Sequence, residues 1–406
     1  MAAVDDSTRI EFPTTCGRRA TALPVSLTER RYDLDWLRIF AFAILIFHHV
    51  GLFYAAWDWY LKSRHSVSFV EPLMGLTGWR LSLLFFISGA AVRFAIDKTT
   101  VRRFLPRRFT RLLVPLAFGM VVICAPQAYV ELRYLGEIEP GYLAFYRDYL
   151  GFGDFSMVKP PWNHLWYMAY ILVYTVIVAA GLPLLRHATT ALGSPFFAWL
   201  ASGRAWRLLV VPAMPFAVYA MILDPYFPTT LALWGDWANI AKTLTFFLFG
   251  FLAAKSNDFW KAVERALPVS IVLSLLLGGL VLAAFLNEFA VSADPQLFTG
   301  FLLLRVLYGW LVIVTLLGLA RRFANRPSRT LTYLTAAILP YYILHQTITL
   351  LVSYWFTMHE APFAIEAMTI IMATVLGCVL GYEVIRRVAV LRPLFGLPPL
   401  PKAAEA

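Results

Sequence analysis

Residues 32–54, YDLDWLRIFAFAILIFHHVGLFY, constrain this chain more than any other stretch. They are long and apolar enough to cross about 30 Å of hydrocarbon, yet they carry Asp35 and Arg38 near their start and His48 and His49 near their end. An ionisable side chain at the centre of a spanning helix costs roughly 2.5–3.5 kcal/mol on insertion scales, so such groups mark a polar interior or a functional site.

Helical geometry sorts these groups. At about 100° and about 1.5 Å per residue, Arg38 and His49 point within roughly 20° of one another and sit about 16 Å apart along the axis. His48 points roughly 80° away from Arg38. Asp35 is i,i+3 to Arg38, where the two can pair. One face therefore reads Asp35, Arg38, His49. The plainer reading of the histidine pair is a polar helix end satisfied by headgroups or backbone. The arginine three turns away on the same face favours a working site, with His49 the preferred histidine.

Composition extends the reading to the whole chain. Of 406 residues, 60% are hydrophobic and 15% charged, where a soluble domain has about 25% charged residues; the mean hydropathy is +0.67. This is the composition of an all-α integral membrane protein. A net charge of +11 suggests nucleic acid in a soluble chain, but in a membrane chain it is the distribution of charge that matters, and no nucleic acid partner is expected. Cys16, Cys124 and Cys378 are too few and too scattered for a disulfide framework or metal cluster. The polar first thirty residues lack a separate apolar core, so no cleaved signal peptide is expected ahead of the first span.

Ten apolar runs of spanning length recur, at 35–57, 72–96, 111–130, 164–185, 206–224, 239–255, 267–287, 300–320, 331–356 and 364–388. With the N-terminus in the cytoplasm, the segments on that side hold 25 Lys and Arg, the outer segments 5, and the spans the remaining 5. That asymmetry fits an even number of spans with both termini cytoplasmic. The expected organisation is a flexible tail at 1–34, a ten-helix membrane domain at 35–390 and a tail at 391–406, with the lipid bilayer as surroundings.

Other polar groups mark the same interior. Arg80 lies in the outer half of the second span, Arg93 can snorkel to the cytoplasmic end, and Ser88, Gly89, Ala90 and Ala91 permit close helix approach. Next come Arg102, Arg103, Arg107, Arg108 and Arg111. They suffice to orient the chain, but also suit a polyanion such as the phosphates of coenzyme A or anionic lipid headgroups. His164 and Trp166 open the fourth span, where His164 is either a structural interfacial residue or part of an acceptor site. Arg305 sits near the outer end of the eighth span. Tyr341 and Tyr342 share a face with His345 in PYYILHQ, and Glu383 is placed to neutralise an arginine within the spans. The long outer segment 131–163 either caps a site or is a solvated loop, and 189–206 is too short to span and suits the inner surface. No G-x-S-x-G, H-E-x-x-H, P-loop or G-x-G-x-x-G stands in a supporting context, and no metal is implied.

This ordered set resembles the acyltransferase-3 family of membrane proteins. Asp35, Arg38 and His49 match its opening helix. FFISGAAVRFAI with RRFLPRRFTRLLVPL resembles its second span and basic inner loop, NHLWYMAYILVY its His-Leu-Trp span, and YILHQ its late histidine span. The match runs over about residues 30–396 and is strongest to glucan-modifying members, although Gln346 and Thr347 stand where those often carry His and Pro.

The resemblance implies a multi-pass protein of the bacterial inner membrane. It would move an acyl group, succinyl or acetyl, from cytoplasmic acyl-CoA to a hydroxyl of an extracytoplasmic glycan. His49 would be the general base, or the carrier of an acyl-histidine, with Arg38 and Asp35 beside it. Arg102, Arg103, Arg107, Arg108 and Arg111 would hold the coenzyme A phosphates. Arg80, His164, Trp166, Arg305, Tyr341 and His345 would line the substrate path. The rival reading is a proton-coupled transporter using the buried histidines and arginines as a relay, and a third is a non-catalytic membrane scaffold. No internal repeat favours the transporter.

Overall fold

The structure is a computed structural model that describes residues 30–400 apart from 152, 154 and 157–160. Most of the expected 1–34 tail, the end of the 391–406 tail and part of the 131–163 segment lie outside the described residues. The rest is helical, with no strand among the described residues. In hydrocarbon a helix is the one open element that satisfies its own backbone.

We number the principal helices α1 (Tyr32–Tyr54), α2 (Trp79–Ile96), α3 (Val101–Phe118), α4 (Ala125–Leu135), α5 (Tyr142–Leu150), α6 (Trp166–Ala180), α7 (Ser194–Ser202), α8 (Met214–Ile222), α9 (Trp237–Ala253), α10 (Asn257–Leu286), α11 (Pro295–Phe323), α12 (Arg329–Met358) and α13 (Phe363–Ile385). Among the described residues, eight helical stretches are long and apolar enough to cross a membrane. They are Tyr32–Tyr54, Val70–Ile96, Val101–Leu135, Asn163–Ala180, Asn257–Leu286, Pro295–Phe323, Arg329–Met358 and Phe363–Ile385. The chain is thus a multi-pass integral membrane protein. The fifth and sixth expected spans fall on shorter apolar stretches, Trp206–Ile222 and Trp237–Ala253. The first of these is interrupted at Val211–Ala213, where Pro212 and Pro215 each remove a backbone donor.

Local sequence explains several helix starts. The Ser256 side chain accepts from Phe259 N–H at 3.2 Å and starts α10. Asp294 accepts from Gln296 and Leu297 N–H and, with Pro295 at the first helical position, starts α11; both are standard N-terminal chemistry. The small-residue stretch of α2 packs against α9. A Cβ on Gly89 would strike the Phe247 backbone, and one on Gly250 the Phe86 backbone, so the close approach needs glycine on both helices. Several buried polar groups between the helices pair with each other or with backbone. Ser274 and Thr315 hydroxyls meet at 3.1 Å between α10 and α11, and the Trp310 indole donates to Leu208 C=O at 2.8 Å.

Charges gather at the helix ends. Asp97, just after α2, pairs with Arg93 at 2.9 Å and Lys255 at 2.6 Å, so Arg93 does reach the helix end. Glu383 pairs with Arg386 at 2.9 Å and Arg387 at 2.7 Å. It therefore serves neighbours one turn on, not an arginine within the spans, because its side chain follows its own helix end. Phe197 and Leu200 of α7 are buried in the core, so part of 189–206 packs inward. Leu391–Leu394 forms a short helix, and Phe395 after it is buried against Phe118.

Candidate active site

A cavity of about 580 Å³ lies inside the bundle between α1, α2, α3, α6 and α12. Residues 229 and 231, from the segment joining α8 to α9, also line it. Four arginines face it, Arg38, Arg80, Arg108 and Arg111, and no Asp or Glu is among the described residues of its wall. Guanidinium groups gathered without a carboxylate suit an anion, because each presents several N–H donors and keeps its charge. Buried nitrogens of Arg80 (Nε), Arg108 (Nε), His48 (Nδ1) and Trp59 (Nε1) have no hydrogen-bond partner among the described residues. Each such group costs the folded chain about 1–3 kcal/mol, a cost that a polar ligand offsets.

His49 lies on the cavity wall, as do Arg38 three turns away and the neighbouring His48. The hydrogen bonds around His49 fix its tautomer. His345 Nδ1 is 2.7 Å from Tyr342 C=O, which can only accept, so this nitrogen carries the proton. His345 Nε2 is therefore an acceptor, and it sits 3.0 Å from His49 Nδ1. That places the His49 proton on Nδ1 and leaves Nε2 as a free lone pair, on a ring that lines the cavity. The two ring planes are within 7° of parallel.

His164 takes a different part. Its Nε2–H donates to Ile343 C=O at 3.1 Å, and its Nδ1 accepts from Gln127 Nε2 at 3.5 Å. Both nitrogens are used by protein groups, so His164 braces the wall. Gln127 is fully buried and is the hub of this bracing. Its amide N–H donates to Thr347 Oγ1 at 2.6 Å, while its carbonyl accepts from Asn163 at 3.0 Å and Gln346 at 3.1 Å. Gln346 and Thr347, which depart from the glucan-modifying pattern, are thus the partners of Gln127. Tyr342 O–H donates to His164 C=O, tying α12 to the start of the fourth span.

The cavity wall near residues 229–233 is built from strained backbone. Asn163, Leu231 and Leu233 are the non-glycine residues with positive φ among those described, at 41°, 58° and 63°. Two of them, Asn163 and Leu231, line the cavity. Each such residue costs about 1–3 kcal/mol and persists only where surrounding bonds hold it. Here Trp162 donates to Leu231 C=O at 2.9 Å and Leu233 N–H to Tyr170 Oη at 3.0 Å. Buried Asp236 anchors the segment, accepting from Thr230 N–H at 2.9 Å and from Tyr170.

Of the residues expected from sequence, His49, Arg38, Arg80, Arg108, Arg111, His164 and Trp166 line this cavity, and His345 joins it through His49. Arg102, Arg103 and Arg107 do not line it and are exposed, so of the basic run only Arg108 and Arg111 reach this wall. Asp35 is also off the wall; at this helix start Arg31 pairs with Asp33 at 2.6 Å and stacks on Trp260. Tyr341 turns to Phe42 and Tyr382, leaving Tyr342 on the wall. Arg305 belongs to a second, smaller cavity.

From the sequence alone His48 ranks below His49, and Trp59, Tyr60 and Gln127 go unmarked. Burial, together with Glu131 and Cys124, holds the Tyr60 phenol above its usual pKa, so it faces the cavity as a neutral donor. The Trp59–Tyr60 pair just past the first span was the available signal.

The model of the acyltransferase domain family, acyltransferase-3, matches residues 31–383. Among curated proteins, the chain is similar to glucans biosynthesis protein C of Salmonella paratyphi A and of Salmonella agona. Each is 22% identical over 389 residues, covering 93% of this chain and 97% of the relative. No solved structure matches.

Proposed function

We propose a reaction from one premise, that this chain belongs to the acyltransferase-3 family and is a membrane acyltransferase: it carries an acyl group from acyl-CoA to a hydroxyl of a glycan across a bacterial inner membrane. The glycan follows from the relatives, which are named for glucan biosynthesis. The observation that carries the reading is His49, held on Nδ1 by His345 with Nε2 free, in a cavity walled by four arginines and no described carboxylate.

In this reading Trp206–Ile222 and Trp237–Ala253 also span, giving ten passes with both termini cytoplasmic, as the 25 to 5 division of basic residues favours. Arg108 and Arg111 then lie toward the cytoplasm and, with Arg38, hold the phosphates of the donor, whether succinyl-CoA or acetyl-CoA. The acceptor enters past Asn163 and the segment around Leu231. His49 Nε2 removes the hydroxyl proton as the oxygen attacks the thioester carbonyl. The C–S bond then breaks, and the same proton passes to the departing thiolate, leaving an ester and free coenzyme A. Arg80 stands in the same cavity, where a guanidinium stabilises charge growing on the carbonyl oxygen.

The test is free thiol release from acetyl-CoA and succinyl-CoA by the purified protein, with and without an envelope glycan fraction. Acceptor-dependent release from the wild type, reduced at least a hundredfold in folded His49→Ala, is expected. Unchanged release in that variant would refute the role of His49.

A further inference from the structure

A second cavity, of about 290 Å³, lies between α2, α8, α9 and α11, behind Leu81 and Trp166, which are common to both cavities. Its charges do not cancel. Asp224 and Lys242 bind each other at 2.7 Å. That leaves Arg305, which has no hydrogen bond or ion pair among the described residues and is exposed. Asp224 attracts it only from a distance. The Phe285 and Phe301 ring centroids stand 5.9 and 5.5 Å from its guanidinium carbon.

The place of this residue makes the excess charge informative. Arg305 is the eleventh residue of α11, about 15 Å from its start, on a helix with the length and hydropathy of a membrane span. An uncompensated arginine there is costly, and two aromatic faces supply only about 0.5–2 kcal/mol each. The rest of the wall is largely apolar, with Phe216, Phe246, Leu302 and Val306 beside the polar Asn239 and Thr243. A guanidinium fork above an apolar pocket fits an anion with a hydrocarbon part. The phosphate geometry suits the bidentate donors of arginine.

We propose that this cavity binds a phosphate group through Arg305, separately from the acyl-transfer site, and that the apolar wall receives the chain of a phospholipid bearing it. The proposal does not depend on the reaction assigned to His49, because its readout is binding.

The test uses the full chain purified in detergent and delipidated, then incubated with phosphatidylglycerol mixed micelles, with bound lipid counted by native mass spectrometry. Wild type and the control Arg322→Gln, at the exposed end of the same helix, are expected to retain the lipid. Arg305→Gln should lose at least fivefold of it and Arg305→Lys less than twofold. A parallel arm adds inorganic phosphate: no displacement identifies the lipid as the source, and full displacement identifies free phosphate, at the same guanidinium. Equal retention by Arg305→Gln overturns the proposal. Should that variant fail to fold, Leu302→Trp fills the apolar wall and leaves the guanidinium in place. It is expected to show the same loss, and full retention overturns the proposal.

Discussion

Replacing His345 tests the geometry of the proposed base more sharply than replacing His49 itself. In the resting site His345 Nε2 accepts from His49 Nδ1–H at 3.0 Å. When Nε2 of His49 picks up the acceptor proton, the ring becomes an imidazolium, and this bond becomes one to a charged donor. Such bonds contribute about 1.5–3 kcal/mol, and the charge exists only as the reaction proceeds, so the loss falls on the transition state. The neutral bond of the resting site already contributes about 0.5–1.5 kcal/mol, which leaves a transition-state excess of about 1–1.5 kcal/mol; at about 1.4 kcal/mol per factor of ten, His345→Ala is expected to lower kcat about 5- to 12-fold. KM for the donor should stay within about twofold, since the arginines proposed to hold its phosphates are untouched. His345→Gln should recover part of kcat, because an amide oxygen can accept from Nδ1–H. Steady-state thiol release across donor concentrations separates kcat from KM, and a melting curve in detergent reports folding. A folded His345→Ala with full kcat would refute the argument, as would a folded His345→Gln no better than alanine.

Two further predictions follow from the division of charges. Arg108→Gln is expected to raise KM for acyl-CoA about tenfold, from loss of a charge-assisted contact, whereas Arg102→Gln, Arg103→Gln and Arg107→Gln should each change it less than twofold. The same kinetic titration checks both, and equal effects of Arg107→Gln and Arg108→Gln would count against the cavity as the donor site. Asp97 predicts a pH dependence of stability. Burial pushes its carboxyl pKa up, but the hydrogen bond from Lys255 and the Arg93 and Lys255 charges outweigh that and hold it below the usual value. A depressed carboxylate stabilises the fold fully above the ordinary Asp pKa, near 3.9, and loses that contribution as the pH falls through its folded value. Melting temperatures of Asp97→Asn should therefore lie below wild type at neutral pH and converge with it in acid; a gap that stays constant down to the acid limit would contradict the assignment.

Much of the site was legible in one helix. The phase of an α-helix is fixed by its 3.6-residue turn, so placing Arg38 and His49 on one face needed no tertiary information, and both line the cavity. The glycine of α2 was readable as a packing surface because small residues in a span have that use, although its reciprocal partner, Gly250, was not. Within the basic run, the sequence showed five arginines without dividing them. Arg108 and Arg111 are one turn apart, and the exposed Arg102, Arg103 and Arg107 fall off the cavity wall only once α3 is docked.

What the sequence determined by itself was the membrane class, the helical architecture and the charged face of the first span, since hydropathy, length and helical phase are local quantities. Only the tertiary structure decided what His49 touches. Its partner, His345, is 296 residues away, and the proton positions follow from a chain of donors and acceptors that runs through Tyr342. The same holds for Gln127, which gathers Asn163, Gln346 and Thr347 from distant segments, and for Arg305, drawn away from the main cavity into its own. Contacts between helices depend on how their faces dock, and a hydropathy pattern specifies which face is apolar without naming the residue that will meet it.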